Sequence, residues 1–392
     1  MRKIIYFDHN ATAPVRPEVL EAMAPFWREF MGNPSSIHQA GRLADKAVRE
    51  ARRETAHFLG AEESEIIFTS GGAESNNTVF RSVISTEKGK REIVTTTVEH
   101  STVLKPVRAL QEERIEVTFL PVDESGALNL EKLEESLTPE TALVSVMMAN
   151  NETGVLFPIE KIGRKVREKG ILFHVDAVQA VGKIPVSLRS LPVDFLSLSA
   201  HKFGGPKGVG ALYLRKGTPF RPLLVGGAQE RGRRAGTQNV PGIAGLGAAL
   251  RGLKEGMDGE SQRVKDLRDD FEEKVLRKIP SVQVNGDRQN RLPNTSNLAF
   301  EDVDQEALLI LLDEAGLRAS QGSACFSGSP EPSHVLRAMG FSEARAKSSV
   351  RFSFGAENTR EEVGVAVELL VGFVGRLRKI ELEHQHPHSV VR

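Results

Sequence analysis

Lys202 lies in Ser199-Ala200-His201-Lys202-Phe203-Gly204-Gly205-Pro206, directly after the apolar run 193–198. That run reads as a buried strand, and the glycine-proline turn forbids its continuation, so Lys202 stands at a strand end. A lysine there, once desolvation weakens its hold on a proton, is a nucleophile able to form a Schiff base with a carbonyl. By itself it reads equally as a solvated loop lysine. Asp176 follows a second apolar run, 171–175, and leads into Ala177-Val178-Gln179. A carboxylate at the mouth of a buried strand needs a positive partner. A third strand, 66–68, turns through Thr69-Ser70-Gly71-Gly72-Ala73-Glu74-Ser75-Asn76-Asn77 into a helix. Glycines let backbone N–H groups crowd around an anion, and the helix dipole favours negative charge there; a Gly-Gly turn also serves for its backbone angles alone.

The fourth candidate is Cys325, the single cysteine of the chain. It excludes an internal disulfide and any all-cysteine metal cluster within one chain. A lone cysteine is usually a small buried hydrophobe. Here Gly322, Ser323, Ser327, Gly328, Ser329 and Pro330 surround it, the composition of an exposed loop. The reactive form of such a thiol is the thiolate, which requires a cationic neighbour.

The elements that must position these groups alternate. Apolar runs at 66–69, 93–97, 115–120, 142–148, 171–175, 193–198 and 209–214 are short and bounded by breakers, with helical stretches such as 158–169 between most of them. The pattern predicts a mostly parallel sheet covered on both faces by helices, with functional loops beyond the strands' carboxyl ends. The glycine turn, Asp176 and Lys202 would then hold a phosphate, a ring nitrogen and an aldehyde carbon from three adjacent strand ends. A pyridinium nitrogen is a fitting partner for Asp176, and pyridoxal phosphate enzymes commonly supply an aspartate for it. Amphipathic helices precede the sheet, one from Pro17 to about Gly32 and one after Gly41 ending at Gly60. Beyond the glycine-rich region 226–247, a charged helix over 259–278 bridges to a smaller α+β domain with strands at 282–284, 297–300 and 349–354 and helices at 304–315 and 359–379. The expected division is an N-terminal arm 1–15 packing with the small domain, a large domain 16–258, a small domain 259–380 and a disordered tail 381–392.

The 392 residues are 40% hydrophobic and 27% charged, with 52 basic side chains against 52 acidic ones. Neutrality gives no electrostatic case for nucleic acid or a membrane surface as partner. No apolar run reaches the ~20 residues of a bilayer span, and Asp8 interrupts the N-terminus too soon for a signal peptide, so a cytoplasmic protein is expected. His384, His386 and His388 have a spacing that metals use, but a terminal tail without metal is the expectation.

Taken in order, Phe68 to Asn76, Glu99-His100, Asn150-Asn151-Glu152-Thr153-Gly154, His174 to Gln179, Ser199 to Lys202 and Gly322-Ser323-Ala324-Cys325 resemble the pyridoxal-phosphate cysteine desulfurases. The resemblance covers nearly the whole chain, and residues 320–337 resemble the iron-sulfur and nitrogenase type with a long active-site loop. It implies a PLP-transferase-like large domain with a mostly parallel sheet, and a smaller α+β C-terminal domain. It makes Lys202 the Schiff-base lysine, Asp176 the partner of the pyridine nitrogen and His100 the residue stacked on the ring. Gln179 and Asn151 would contact the phenolic oxygen or the substrate, and Gly72, Ala73, Ser199 and His201 the phosphate. Thr237 would reach the phosphate of the other subunit, implying a homodimer, and Arg351 would take the substrate carboxylate. The implied reaction converts L-cysteine to L-alanine and leaves a persulfide on Cys325, to be passed to an iron-sulfur scaffold or sulfur-carrier protein. A selenocysteine lyase or cysteine sulfinate desulfinase would share nearly all these residues, an aminotransferase would have no use for Cys325, and a non-catalytic partner protein would not need the set. Where many relatives have threonine in the phosphate turn this chain has Ala73, which implies weaker cofactor retention.

Overall fold

The computed structural model of the protein describes residues 4–87, 89–322 and 331–385. Its centre is a seven-stranded sheet formed by β2 (Ile66–Thr69), β3 (Glu92–Thr96), β4 (Glu116–Leu120), β5 (Thr141–Met147), β6 (Leu172–Asp176), β7 (Phe195–Ser199) and β8 (Gly210–Leu214), in the order β2-β8-β7-β6-β5-β3-β4. Only β8 runs against the others. The continuous apolar runs reflect burial on both faces. Along β5, Val144 and Val146 pack into one core with Phe173 and Val175, while Leu143 packs into the opposite core with Ile93, Phe195 and Leu212.

β8 changes one expectation. The glycine turn after β2 is not adjacent to the end of β7, because the reversed β8 lies between them. Thr69 and Ser199 both pair with Gly210, the first residue of β8, so the two strand ends stand at one level on either side of it. A side chain at Gly210 would sit 2.5 Å from the Leu198 carbonyl and 2.7 Å from Gly71 Cα. The missing Cβ is what lets the turn close over this strand.

The bridge to the C-terminal part is longer than its charge pattern suggested. One helix runs Val240–Lys278, started by Asn239, whose Oδ1 accepts from Gly242 N at 3.1 Å. The glycine-rich stretch before 259 is helical because Ile243, Leu246, Ala249, Leu250 and Leu253 are buried. There Gly247 meets the helix Gln39–Leu59 so closely that a Cβ would lie 2.7 Å from Ala51 Cα. Tertiary contact overrides the poor helix propensity of glycine.

The C-terminal part is a three-stranded antiparallel sheet, β12-β10-β9, from β9 (Val282–Val284), β10 (Thr295–Phe300) and β12 (Ser349–Ser353). At the N-terminus, β1 (Ile5–Tyr6) pairs in parallel with β11 (Leu317–Arg318). Phe7 then enters a core with Phe271, Phe352 and Phe354; the Phe7 and Phe354 ring centroids are 4.5 Å apart. The last helix, Arg360–Gln385, extends past Lys379 into the stretch expected to be a tail. Residues 386–392, with His386 and His388, lie outside the described residues. No helix among the described residues is long and apolar enough to cross a membrane.

Candidate functional site

The carboxyl ends of β2, β5, β6 and β7 and the N-terminal arm surround a cavity of about 520 Å³, within the usual range for small-ligand sites. Gly72, Ala73, His100, Asn151, Asp176, Gln179, Ser199, His201, Lys202 and Arg351 all line it. Thr237 does not: it is exposed on the segment before the helix Val240–Lys278. Cys325 lies outside the described residues, three positions beyond Gly322, which lines the cavity.

At one wall, the helix Gly72–Thr86 begins with Gly71 at its cap, and among the described residues no side chain caps it. Gly71 has φ +149°, a backbone region suited to glycine, and a Cβ on Gly72 would lie 2.7 Å from Val178 Cγ2. The first turn is thereby bare toward the cavity, where Ser70, Gly71, Gly72 and Ala73 line it. Orphan N–H groups and the dipole of a 15-residue helix suit a phosphate there.

Asp176 ends β6 and is buried. Its Oδ2 accepts from Asn76 Nδ2 at 2.8 Å and its Oδ1 from Val178 N at 3.0 Å. These donors fix the carboxylate without supplying a full positive charge. His100 does two jobs. It lines the cavity and also caps the helix Ser101–Glu112, its Nδ1 accepting from Thr102 N at 3.2 Å.

Lys202 closes a 3-10 turn, Ala200–Lys202, directly after β7. Its Nζ donates to the backbone carbonyls of Asn10 at 2.6 Å and Ala11 at 2.9 Å. His201 Nδ1 lies 3.2 Å from Thr12 Oγ1. Burial, followed by the nearby cations Lys202, Lys207 and Lys183, pushes the His201 imidazole down to about 4. It is therefore neutral at neutral pH, with hydrogen bonds rather than charge to offer an anion. Arg351 is buried; its Nη2 donates to Asp8 Oδ1 at 2.7 Å and its Nη1 to the carbonyls of Asn151, at 2.9 Å, and Gly322.

The arm contributes more than the sequence reading assigned to it. Asn10, Ala11 and Thr12 line the cavity. Asn10 also ties the sheet to the C-terminal part, through Nδ2 to Thr295 Oγ1 at 2.9 Å and through its N–H to Ser353 Oγ at 2.9 Å. The available signal was the polar run Asp8-His9-Asn10 directly after a buried strand. Lys183 was missed altogether. Its Nζ donates to Asn10 Oδ1 at 2.7 Å and to Gln179 Oε1 at 2.6 Å, and the i, i+4 spacing from Gln179 was its only sequence signature.

An uncapped helix start, an amine at a strand end, a buried carboxylate and a buried guanidinium around one cavity form a donor set for pyridoxal phosphate and an amino acid. The first suits the phosphate, the second the aldehyde and the third the ring nitrogen, while Arg351 suits a carboxylate.

Comparisons with known proteins agree with that chemistry. Residues 5–365 match the family described as Aminotransferase class-V. The chain is 50% identical over 377 residues to a cysteine desulfurase of Trichormus azollae, covering 96% of this chain and 94% of that one. Among solved structures, it superposes on a NifS-like protein with a TM-score of 0.88 at 40% identity, covering 96% of this chain and 99% of the other. It also superposes on SspA in complex with cysteine, with a TM-score of 0.81 at 36% identity, covering 91% and 100%.

Proposed function

Because the chain belongs to the class V aminotransferase family and, within it, to the pyridoxal-phosphate-dependent cysteine desulfurases, we propose that its cavity converts L-cysteine to L-alanine and that Cys325 carries away the sulfur. The observation that carries this reading is the convergence of Lys202, Asp176, the bare helix start and Arg351 on one cavity.

Gly72 and Ala73, with Ser199 and His201, would hold the cofactor phosphate; Asp176 its ring nitrogen; Gln179 and Asn151 its phenolic oxygen or the substrate; and His100 the ring face. When bound, pyridoxal phosphate supplies an electron sink that weakens the substrate's carbon–sulfur bond. The chain's own residues do the rest. Arg351 orients the substrate carboxylate with its planar fork. The Lys202 amine takes the proton from the substrate Cα and returns it there once the carbon–sulfur bond has broken. The Cys325 thiolate attacks the substrate sulfur: a sulfur–sulfur bond forms, the carbon–sulfur bond breaks, and its electron pair stays on Cβ, which takes up a proton. Substrate thiol and enzyme thiol become alanine and a Cys325 persulfide, so atoms and electrons balance.

The SspA structure with cysteine supports cysteine as substrate. We assign the persulfide to an iron-sulfur scaffold or sulfur-carrier protein, and the reaction to the cytoplasm, where a lone thiol stays reduced. A homodimer is part of the proposal, carried by the family resemblance; Thr237, exposed and outside its own cavity, would serve the partner's. Trp27, Met31, Ile37 and Val225 expose most of their apolar surface, as an unpaired protomer would. The arm 1–15, the large domain 16–258 and the small domain 259–380 are proposed as its units.

Replacing Cys325 with alanine tests the assignment. Persulfide formation from L-cysteine should be lost while the absorbance of bound cofactor persists. Cysteine turnover at an unchanged rate would refute it.

A further inference from the structure

Glu152 lies in the turn that follows β5 and is fully buried, yet the reaction does not use it. Its backbone is held from both sides. The N–H donates to Asn150 Oδ1 at 2.9 Å, and the carbonyl accepts from Asn297 Nδ2 at 3.2 Å. Its carboxyl group accepts from Ser333 Oγ at Oε2, while Oε1 is buried without a hydrogen-bond partner among the described residues. A buried oxygen left bare costs free energy that an apolar side chain would not. Stability alone therefore gives no reason for a glutamate at this position.

The carboxyl group touches two residues that stand on either side of Cys325 in the sequence, Gly322 and Ser333. At Gly322, a Cβ would lie 2.7 Å from Glu152 Oε2 and φ is +102°, so only glycine lets the backbone rest against the carboxyl group. At Ser333, Oγ donates to Oε2 and accepts from Leu336 N at 3.1 Å, which caps the helix His334–Ala338. The Gly322 side is also tied to the cavity wall. Arg351 donates from Nη1 to the carbonyls of both Asn151 and Gly322, and its backbone exchanges two hydrogen bonds with Ser320, at 2.7 and 3.2 Å. Asn297, which holds the Glu152 carbonyl, lies opposite Arg351 in the register of β10 and β12.

We propose that Glu152 is a positioning residue for sulfur transfer: one buried carboxyl group fixes Gly322 and Ser333, between which the chain carries Cys325, against the wall formed by Asn151 and Arg351. The substrate carboxylate, at Arg351, and the attacking thiol are thereby referred to one rigid frame. The gain is in orientation of the reacting sulfurs rather than in substrate binding. The inference rests on the reading of Cys325 as the sulfur acceptor.

The test follows persulfide formation on Cys325 by peptide mass, in single turnovers of the full-length, cofactor-loaded protein with L-cysteine. Glu152→Ala should slow this step about 10-fold or more, while the absorbance of bound cofactor and the half-saturating L-cysteine concentration keep their parent values. Glu152→Gln retains an oxygen for Ser333 and should restore the rate to within about 3-fold of the parent. Ser333→Ala removes the same hydrogen bond from its other end, and combined with Glu152→Ala it should add no further loss. A parent rate in both alanine variants overturns the proposal, as do losses that multiply in the double variant or a glutamine variant as slow as the alanine one. Loss of cofactor, or a rise in half-saturating concentration that accounts for the slower rate, overturns it too, because general damage to the turn acts that way. Should Glu152→Ala fail to fold, Ser333→Ala decides alone, and a parent rate there overturns the proposal. No persulfide on Cys325 of the unsubstituted chain would sink the underlying reading, whereas a persulfide there with unaffected variants would sink only the inference.

Discussion

Asn76, in the first turns of the helix that follows β2, donates from Nδ2 to Oδ2 of Asp176 at the end of β6, at 2.8 Å. The proposed phosphate cradle and the proposed ring-nitrogen site are therefore mechanically one unit, since the helix whose start would face the anion also holds the carboxylate.

That link makes a graded prediction. Asp176→Asn keeps the shape but removes the charge, and cysteine turnover should fall on the order of 10²-fold, the usual cost of losing a preorganised electrostatic partner. Asn76→Ala keeps the charge but loses a hydrogen bond to it, worth about 1.5–3 kcal/mol. It should lower thermal stability and reduce turnover less than Asp176→Asn. Steady-state rates and melting curves on both variants separate the effects; equal loss of turnover would break the distinction.

Arg351 offers a second case. It is buried and held by Asp8 and two backbone carbonyls, so its guanidinium is fixed in place for the carboxylate proposed to bind it. Arg351→Lys loses the fork, and the KM for L-cysteine should rise about 10- to 100-fold, with kcat falling less. Asp8→Asn loosens the aim and should give the same pattern more weakly. A change confined to kcat in both variants would place Arg351 outside carboxylate binding.

Glu99 gives a pH prediction. It is fully buried behind Met147, its Oε1 accepting from Met147 N at 3.0 Å and Thr96 Oγ1 at 2.8 Å, and burial pushes its carboxyl up from 4.5 to about 8. The folded protein therefore binds a proton that the unfolded chain releases above about 4.5. Stability from this group is full below that pH and is lost as pH rises through 8. Glu99→Gln should match the parent near pH 4 and be more stable above pH 8, by roughly 3–5 kcal/mol. His174, between Ser145 and Ser197, runs the other way: burial lowers it to about 4, so its contribution is present above 6.5 and lost as pH falls through 4. Melting temperature against pH for the cofactor-free proteins checks both signs.

Much of this arrangement is written locally. Strands buried on both faces announce themselves as apolar runs, and the three-residue strand Val282–Val284 falls where its run predicted. Lys202, Asp176 and the glycine turn stand out because each interrupts such a run. What escaped has a long-range cause. The glycines at 245 and 247 look like helix breakers until the helices they pack against are known. Lys183 is one cation among 52 basic residues until Asn10, 173 positions away, is found beneath it. β8 cannot be known to run backwards from its own residues, because a short apolar strand carries no mark of direction.

Ala73 is the position where this chain can be improved. It lies in the first turn of the helix Gly72–Thr86, exposed and lining the cavity, with no side-chain oxygen to offer a phosphate. Ala73→Thr adds a hydroxyl, and one further hydrogen bond of about 0.5–1.5 kcal/mol corresponds to roughly 2- to 10-fold tighter cofactor binding. The same change costs about 0.5 kcal/mol of helix propensity, because a β-branched residue replaces alanine. Cofactor affinity should therefore rise while the melting temperature of the cofactor-free protein falls slightly. Titration of the cofactor-free variant with pyridoxal phosphate, beside its melting curve, reads the two together. Unchanged affinity with the same loss of stability would mean that the phosphate is held elsewhere than at this helix start.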